Sequence, residues 1–230
     1  NRYLFLFLLI SCTFSYSQNS SKARKVYMTH KIENPPKIDG IIDEKVWETV
    51  AVAEDFVMVE PGDGDPIPES HKTVARILYD DEAIYISAFL KEKNPEKILR
   101  QFTQRDNINQ SEFFFIDINT YDDGENQTRF IVTSAGTQAD ARITGNNEDY
   151  AYNVVWESAI SQDEKGWYVE IKIPYAALRF PEKPTQFWGI QFAREITHLN
   201  ETYVWNYVDK SVGQFSQYTG LLKGISKIDP

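Results

Sequence analysis

Cysteine is almost absent from this chain of 230 residues, which contains Cys12 and no other. Cys12 lies in an apolar N-terminal segment, so residues 18–230 carry no thiol. That absence excludes disulfide crosslinks and a cysteine nucleophile from the main part of the chain. A domain of this length buries enough apolar surface to fold without crosslinks.

Positive charge is also scarce. The chain has 24 Lys and Arg against 34 Asp and Glu, for a net charge of −10. Nucleic-acid-binding domains present a basic surface, and attraction to anionic lipids requires clustered basic residues. The composition therefore excludes nucleic acid as a partner and disfavours an anionic membrane surface.

The motifs of common catalytic sites are absent as well. His30, His71 and His198 lie far apart in the sequence, and no H-E-x-x-H pair, P-loop or G-x-G-x-x-G is present. No G-x-S-x-G elbow occurs either. A glycosidase needs two facing carboxylates, but with 34 acidic residues the mere presence of carboxylates decides nothing. The sequence favours a protein that is not an enzyme.

Long apolar runs are limited to Tyr3–Ile10, far short of the roughly 20 residues that span a bilayer. Ser15 and Ser17 place small residues where a signal peptidase reads. We predict a signal peptide over residues 1–17 and a flexible lead-in over residues 18–25. Lipidation of Cys12 in "LISC" is the alternative. Because Met does not open the sequence, we expect it to be a fragment.

Aromatic residues are plentiful, with 13 Tyr, 14 Phe and 5 Trp. From Val26 onward, about a dozen short alternating runs are separated by turns. "TVARILY" and "IYISAFL" flank Asp80 and Asp81, and "EFFFIDIN" and "TRFIVTS" flank "YDDGEN", which predicts two hairpins. We predict an all-β fold over residues 26–230, an antiparallel β-sandwich of jelly-roll or immunoglobulin-like type.

Two short helices are expected between the strands. "DEKVWETV" has Asp43 at the position of an N-cap, and "YAALRF" forms the second. In the first, Val46, Trp47 and Val50 fall on one side at helical spacing. Trp47 is therefore predicted to be buried at one end of the sandwich. Strong alternation places the other core tryptophans in strands, namely Trp167, Trp188 and Trp205.

Five stretches carry a family resemblance: "IDGIIDEKVW", "ARILYDDEAIYISAFL", "FFFIDIN", "GWYVEIKIPYAALRF" and "WGIQFARE". In order and spacing they resemble family 9 carbohydrate-binding modules, over Ile32 to Ile228. The match is closest to a bacterial subgroup in which the module is the exported N-terminal part of a larger protein with a barrel-like region. The resemblance implies a β-sandwich that binds polysaccharide or sugar chain ends, with a downstream domain in the same protein. It also implies a location in the periplasm, the outer membrane or the cell surface of a Gram-negative bacterium.

The resemblance extends less well to the sugar site. Sugar-binding members hold a sugar between two tryptophans, and the matching places here are near Asn107 and Val212. A glutamate of the family is matched by Phe113, and an arginine by Phe130 with Arg129 beside it. The resemblance therefore implies the fold more strongly than this site.

Other residues offer a platform for sugar. Such a site pairs an aromatic face with a few polar groups. Tyr150, Tyr152, Val154 and Trp156 share one face of a predicted strand, and Trp156 is the best platform, although such a stripe is also typical of a core. The polar candidates are Arg105, Asp106, Asp140 and Arg142.

Calcium is the one cofactor that the sequence suggests. The acidic turn "YDDGEN" offers oxygen ligands from Asp122, Asp123 and Glu125. It lacks the full spacing of an EF-hand loop, and most acidic Gly-containing loops are simply turns. Related modules bind calcium, which is the main reason to expect it here.

Three hypotheses follow. The first is an exported, non-catalytic carbohydrate-binding domain that targets a linked domain to polysaccharide in carbohydrate catabolism. The second is an interaction domain of the same fold that has lost the sugar site and packs on an outer-membrane barrel or another partner. The third is a glycoside hydrolase.

Overall fold

The computed structural model describes residues 23–211 and 213–229. The signal peptide predicted over residues 1–17, most of the lead-in and Val212 lie outside the described residues. The strands are β1 Val26–Met28, β2 Val57–Glu60, β3 Thr73–Tyr79, β4 Ala83–Lys91, β5 Phe113–Asn119, β6 Asn126–Thr133, β7 Gln138–Thr144, β8 Asn147–Asp149, β9 Glu157–Asp163, β10 Gly166–Pro174, β11 Trp188–Ile196, β12 Glu201–Val204 and β13 Gly220–Lys223.

The strands form two packed sheets. The larger has nine strands in the order β1-β13-β11-β5-β6-β7-β8, with β12 paired to β11 and β2 paired to β12. The smaller has the order β3-β4-β10-β9. The β1–β13 pair is parallel and the other pairs of strands are antiparallel. The predicted all-β sandwich is confirmed, including the β3–β4 and β5–β6 hairpins.

The main core lies between the sheets. In β5, Phe114, Ile116 and Ile118 join this core, while Phe113 and Phe115 point to the opposite side of the larger sheet. We call these two sides the inner face and the outer face. The outer face carries a second apolar cluster of its own. Successive residues of a strand alternate between the two sides of the sheet. β5 carries apolar residues on both sides because both sides of the larger sheet are covered there.

Trp47 fills the position predicted for it. Its side chain is 1% exposed, and its indole N–H donates to Glu170 Oε1 of β10 over 3.1 Å. Glu170 Oε2 also accepts from the backbone N–H groups of Gly40 and Asp39, at 2.9 and 3.1 Å. Burial raises the pKa of Glu170 to about 7, although these donors oppose the increase. Glu170 thus ties both Trp47 and the turn at Gly40 to the smaller sheet.

The short helices differ in type from the prediction. Lys45–Thr49 and Tyr175–Ala177 are 3-10 helices. The first begins after Glu44, without a side-chain cap, so the capping role predicted for Asp43 is wrong. Segments this short do not recover the cost of nucleating an α-helix.

The prediction that Tyr150, Tyr152, Val154 and Trp156 lie in one strand is also wrong. β8 ends at Asp149 and β9 begins only at Glu157. Between them, the Val154 backbone N–H donates to the Asp140 carboxylate at 2.9 Å, and the Val154 carbonyl oxygen accepts from Arg105, also at 2.9 Å. These side chains replace the ladder bonds of a strand.

The other tryptophans predicted for the core are buried as expected, since Trp167 and Trp188 are 0% exposed and Trp205 is 4% exposed. Within residues 23–211 and 213–229, no helix has the length and apolar character of a membrane span.

Candidate functional site

A concave pocket of about 550 Å³ lies on the outer face of the larger sheet. We call it the outer-face pocket. Its apolar wall comes from strands and from the covering segments on either side, and consists of Val59, Ile108, Phe113, Phe115, Ile131, Ile143, Tyr150, Val208 and Phe215. Volumes of 300–1,000 Å³ with mostly apolar walls are typical of small-molecule sites.

Arg129 is the central polar group of the outer-face pocket. Its Nε and Nη2 donate to the two carboxylate oxygens of Asp117 at 2.7 and 2.8 Å, and its Nη1 donates to Glu148 Oε1 at 2.7 Å. The guanidinium carbon lies 4.2 Å from the centre of the Phe115 ring. Burial raises the pKa of the Asp117 carboxyl, and Arg129 opposes that increase. The guanidinium is therefore held rigidly over an aromatic ring.

Tyr150 and Glu148 form the polar edge of the same pocket. The Tyr150 hydroxyl donates to Glu148 Oε2 at 2.8 Å. Burial and this bond to Glu148 raise the pKa of Tyr150 to about 12, so the hydroxyl stays protonated near neutral pH. Glu148 is exposed and bridges Tyr150 to Arg129.

Two of the positions that the resemblance matched to the family's sugar site lie at this pocket, and one other position differs. Phe113 lines the outer-face pocket, and Asn107 immediately precedes Ile108 in its wall. Phe130, which stands where the resemblance implies an arginine, is fully buried on the inner face. The alternation of β6 turns its neighbour Arg129 into the pocket instead, so a guanidinium is present there. Val212 lies outside the described residues.

Four of the predicted site residues form a structural cluster elsewhere. Trp156 is 4% exposed and donates its indole N–H to Asp140 Oδ1 at 3.1 Å. Arg105 pairs with fully buried Asp140 and also donates to Asn153 Oδ1 at 3.1 Å. Asp106 Oδ1 accepts the backbone N–H of Asp140 at 3.3 Å. Trp156 has no open ring face for a ligand, so the sugar platform predicted there is corrected to a core position that fastens two loops to β7.

Tyr152 and Arg142 line a second cavity, of about 460 Å³, together with Arg179. We call it the arginine cavity. It opens where the inner faces of β6 and β7 extend past the core. Tyr150 lies on the outer face, so the structure separates it from Tyr152, and the predicted face shared by Tyr150, Tyr152 and Trp156 does not exist.

The acidic turn predicted to hold calcium bonds largely to itself. Asp122 pairs with Arg24. Asp123 Oδ1 accepts from Asn119 and from the backbone of Glu125 and Asn126, at 2.9–3.0 Å. Burial alone would raise the pKa of Asp123, but these donors lower it to about 2. Asp122, Asp123 and Glu125 are not among the described side chains whose ligand atoms converge as a metal requires.

The described side chains that do converge are Glu92, Glu112 and His198, with ligand atoms within 4.8 Å of one another. Arg194, which is fully buried, lies 3.9 Å from both carboxylates. His198 Nδ1 is 2.6 Å from Glu112, and His71 Nε2 is 3.2 Å from Glu92. Arg194 supplies one positive charge to the two carboxylates, and its Nη2, Glu92 Oε2 and Glu112 Oε2 have no hydrogen-bond partner among the described residues. The two histidines, far apart in sequence, meet here around an ion cluster.

Sequence reasoning missed most of the outer-face pocket. Phe115, Arg129, Glu148 and Phe215 were not among the predicted site residues. The available signal was "FFFIDI", because a strand that is apolar on both faces predicts that both faces are covered.

Comparison with known proteins gives one consistent result. A family model described as "Carbohydrate family 9 binding domain-like" matches residues 38–205. No curated protein matches the chain. Similar solved structures include a family 9 carbohydrate-binding module from Caldicellulosiruptor kristjanssonii in complex with glucose, with TM-score 0.64, 14% identity, and coverage of 90% of this chain and 98% of that chain.

Two further structures are similar. The same kind of module from Caldicellulosiruptor kristjanssonii in complex with cellotriose has TM-score 0.62 and 14% identity, covering 90% of this chain and 100% of that chain. A putative carbohydrate-binding protein from Bacteroides uniformis ATCC 8492 has TM-score 0.69 and 13% identity, covering 88% of this chain and 100% of that chain. At these identities the likeness concerns the fold.

Proposed function

Because the chain belongs to the carbohydrate family 9 binding domain-like family, we propose that it binds carbohydrate in the outer-face pocket without catalysing a reaction. The observation that carries this proposal is the aromatic wall around a fixed guanidinium, formed by Phe113, Phe115 and Phe215 around Arg129. Solved family 9 modules in complex with glucose and with cellotriose support sugar as the ligand.

The chemistry of the pocket suits a pyranose. Its apolar ring face packs on phenyl rings, while its hydroxyls need planar donors and acceptors. Three of the five N–H groups of Arg129 donate to Asp117 and Glu148, which holds the guanidinium in place for a ligand. Glu148 and the Tyr150 hydroxyl add an acceptor and a second polar group at the edge.

Isothermal titration with oligosaccharides of cellulose, xylan and mannan tests the proposal. Phe113→Ala should weaken binding at least about tenfold, since losing a buried phenyl contact costs about 1.5–3 kcal/mol and about 1.4 kcal/mol is a factor of ten. Phe187→Ala is the matched control, because Phe187 is 51% exposed and lies outside the pocket. It should leave affinity unchanged.

The outcomes separate the hypotheses. Binding that survives Phe113→Ala unchanged would remove the outer-face pocket as its location. Absence of binding to every glycan would favour an interaction domain that has lost the sugar site. Release of reducing sugar that disappears on replacing one carboxylate would instead establish a glycoside hydrolase.

We further propose that the domain is exported and holds a linked domain on its polysaccharide, where it raises the local concentration of that domain. The apolar run at Tyr3–Ile10 supports export, and the lack of thiols after Cys12 is compatible with it. Expression of the chain in a Gram-negative host, followed by fractionation and N-terminal sequencing, should give periplasmic or membrane-bound protein that begins at Gln18 or at a lipidated Cys12. Cytoplasmic protein with an intact leader would contradict export.

A further inference from the structure

The arginine cavity combines two positive charges in an acidic protein. Arg142 and Arg179 both line it and are exposed. The arginine ion pairs formed among the described residues involve Arg24, Arg105, Arg129 and Arg194, and neither cavity arginine has one. Like charges facing one cavity repel each other, and an anion between them removes that repulsion.

Both arginines are attached to ordered parts of the wall. The Arg142 guanidinium carbon lies 5.1 Å from the centre of the Tyr152 ring. Tyr152 is itself fixed, since its hydroxyl donates to the Ala177 carbonyl at 3.2 Å. The Thr120 hydroxyl donates to the Arg179 carbonyl. The cation–π contact on an anchored ring holds the Arg142 charge in position before any ligand arrives, and the Thr120 bond fixes the backbone of Arg179 at the wall.

The remaining wall is suited to hydroxyl groups rather than to a bare anion. Neighbouring strands bring Thr128 beside Arg142 and Asn126 beside Thr144 on the open inner face. Tyr121, which is 55% exposed, adds an aromatic ring. Asp123 also lines the cavity, but its carboxylate is engaged by its own turn and forms no ion pair with either arginine.

We propose that the arginine cavity binds a sugar that carries a carboxylate, that is, a hexuronic acid. The two guanidinium groups take the carboxylate, and the threonine hydroxyls, the asparagine amide and the tyrosine rings contact the rest of the sugar. This inference rests on the proposed function only in that the ligand is a carbohydrate. The site is separate from the outer-face pocket, which lies on the other side of the larger sheet.

Titration with D-glucuronate, D-glucose and acetate, followed by NMR or calorimetry at low salt, tests the proposal. Glucuronate should bind saturably, and glucose and acetate at least about tenfold more weakly, because each lacks one half of the recognised chemistry. Arg142→Gln and Arg179→Gln should each lower glucuronate affinity about tenfold. Arg100→Gln is the control, since Arg100 is exposed and outside the cavity.

Several results would overturn the proposal. They are absence of glucuronate binding, equal affinity for acetate, or glucuronate affinity that both cavity variants leave unchanged. Titration of the same variants with the neutral oligosaccharides distinguishes this failure from failure of the proposed function. Phe113→Ala should affect the neutral ligand, whereas Arg142→Gln should affect the acidic one.

Discussion

Replacing Trp47 with phenylalanine removes one hydrogen bond from a buried carboxylate while keeping an aromatic ring. The Trp47 indole N–H donates to Glu170 Oε1 at 3.1 Å. Burial raises the pKa of Glu170 from 4.5 to about 7. The stability that Glu170 contributes is therefore fully present below pH 4.5 and is lost as pH rises through 7. Above that pH the Glu170 carboxylate is mostly ionised, and the ionised form depends most on the hydrogen bond from the Trp47 indole N–H.

The expected loss depends on pH. A hydrogen bond to a charged group contributes about 1.5–3 kcal/mol and a neutral one about 0.5–1.5 kcal/mol. Trp47→Phe should therefore cost about 1 kcal/mol more in the free energy of unfolding at pH 8.5 than at pH 5.5. The part of the loss that comes from poorer packing of phenylalanine should be the same at both pH values. Trp47→Ala, which empties the position, should cost about 3–5 kcal/mol.

Urea denaturation followed by circular dichroism at the two pH values measures these differences. Trp167→Phe is a matched control, since Trp167 is fully buried in the same strand as Glu170 and its indole N–H has no hydrogen-bond partner among the described residues. The free energy of unfolding lost in Trp167→Phe should not change with pH. An equal loss for Trp47→Phe at both values, or a larger one at pH 5.5, would refute the role assigned to Glu170.

Two further predictions concern the turns and the ion cluster. Gly40 and Gly136 have similar φ values of +85° and +84°. A Cβ added at Gly40 would lie 2.6 Å from the backbone of Ile160, whereas a Cβ added at Gly136 would lie 3.5 Å from the Ile160 side chain, an ordinary contact. Gly40→Ala should therefore lower the melting temperature clearly more than Gly136→Ala, and equal shifts would contradict the contact. Arg194→Leu should cost about 3–5 kcal/mol at pH 8, since it leaves buried carboxylates unpaired. Burial already raises the pKa of Glu112 and Arg194 opposes that, so urea unfolding should show part of this loss recovered at pH 5; no recovery would contradict the pairing.

The predictions that succeeded rest on local patterns. Period-two alternation in "WYVEIKIP" and the spacing of Val46, Trp47 and Val50 depend on residues close together in the chain, and both gave the correct burial. The turn at Asp80 and Asp81 likewise joins two neighbouring strands, and the hairpin is there. Backbone geometry carries such information without any partner.

The predictions that failed needed distant partners. Trp156 was the candidate platform within a stripe that is also typical of a core, and Asp140 and Arg105 fix it in the core. In the sequence Arg129 is only the neighbour of Phe130, yet the pairing of β5 with β6 places it next to Asp117 and makes it the centre of the pocket.

By itself the sequence determined the class of fold, the family resemblance and the buried tryptophans, because strand alternation and motif order are properties of the chain. Only the tertiary structure decided which face of "FFFIDI" meets the core and which forms a pocket. Both faces are apolar, so alternation alone cannot tell which of them is the inner one. The tertiary structure also decided that Tyr150 and Tyr152 serve different cavities. Side chains from separate strands meet through sheet pairing, and no local spacing encodes that meeting.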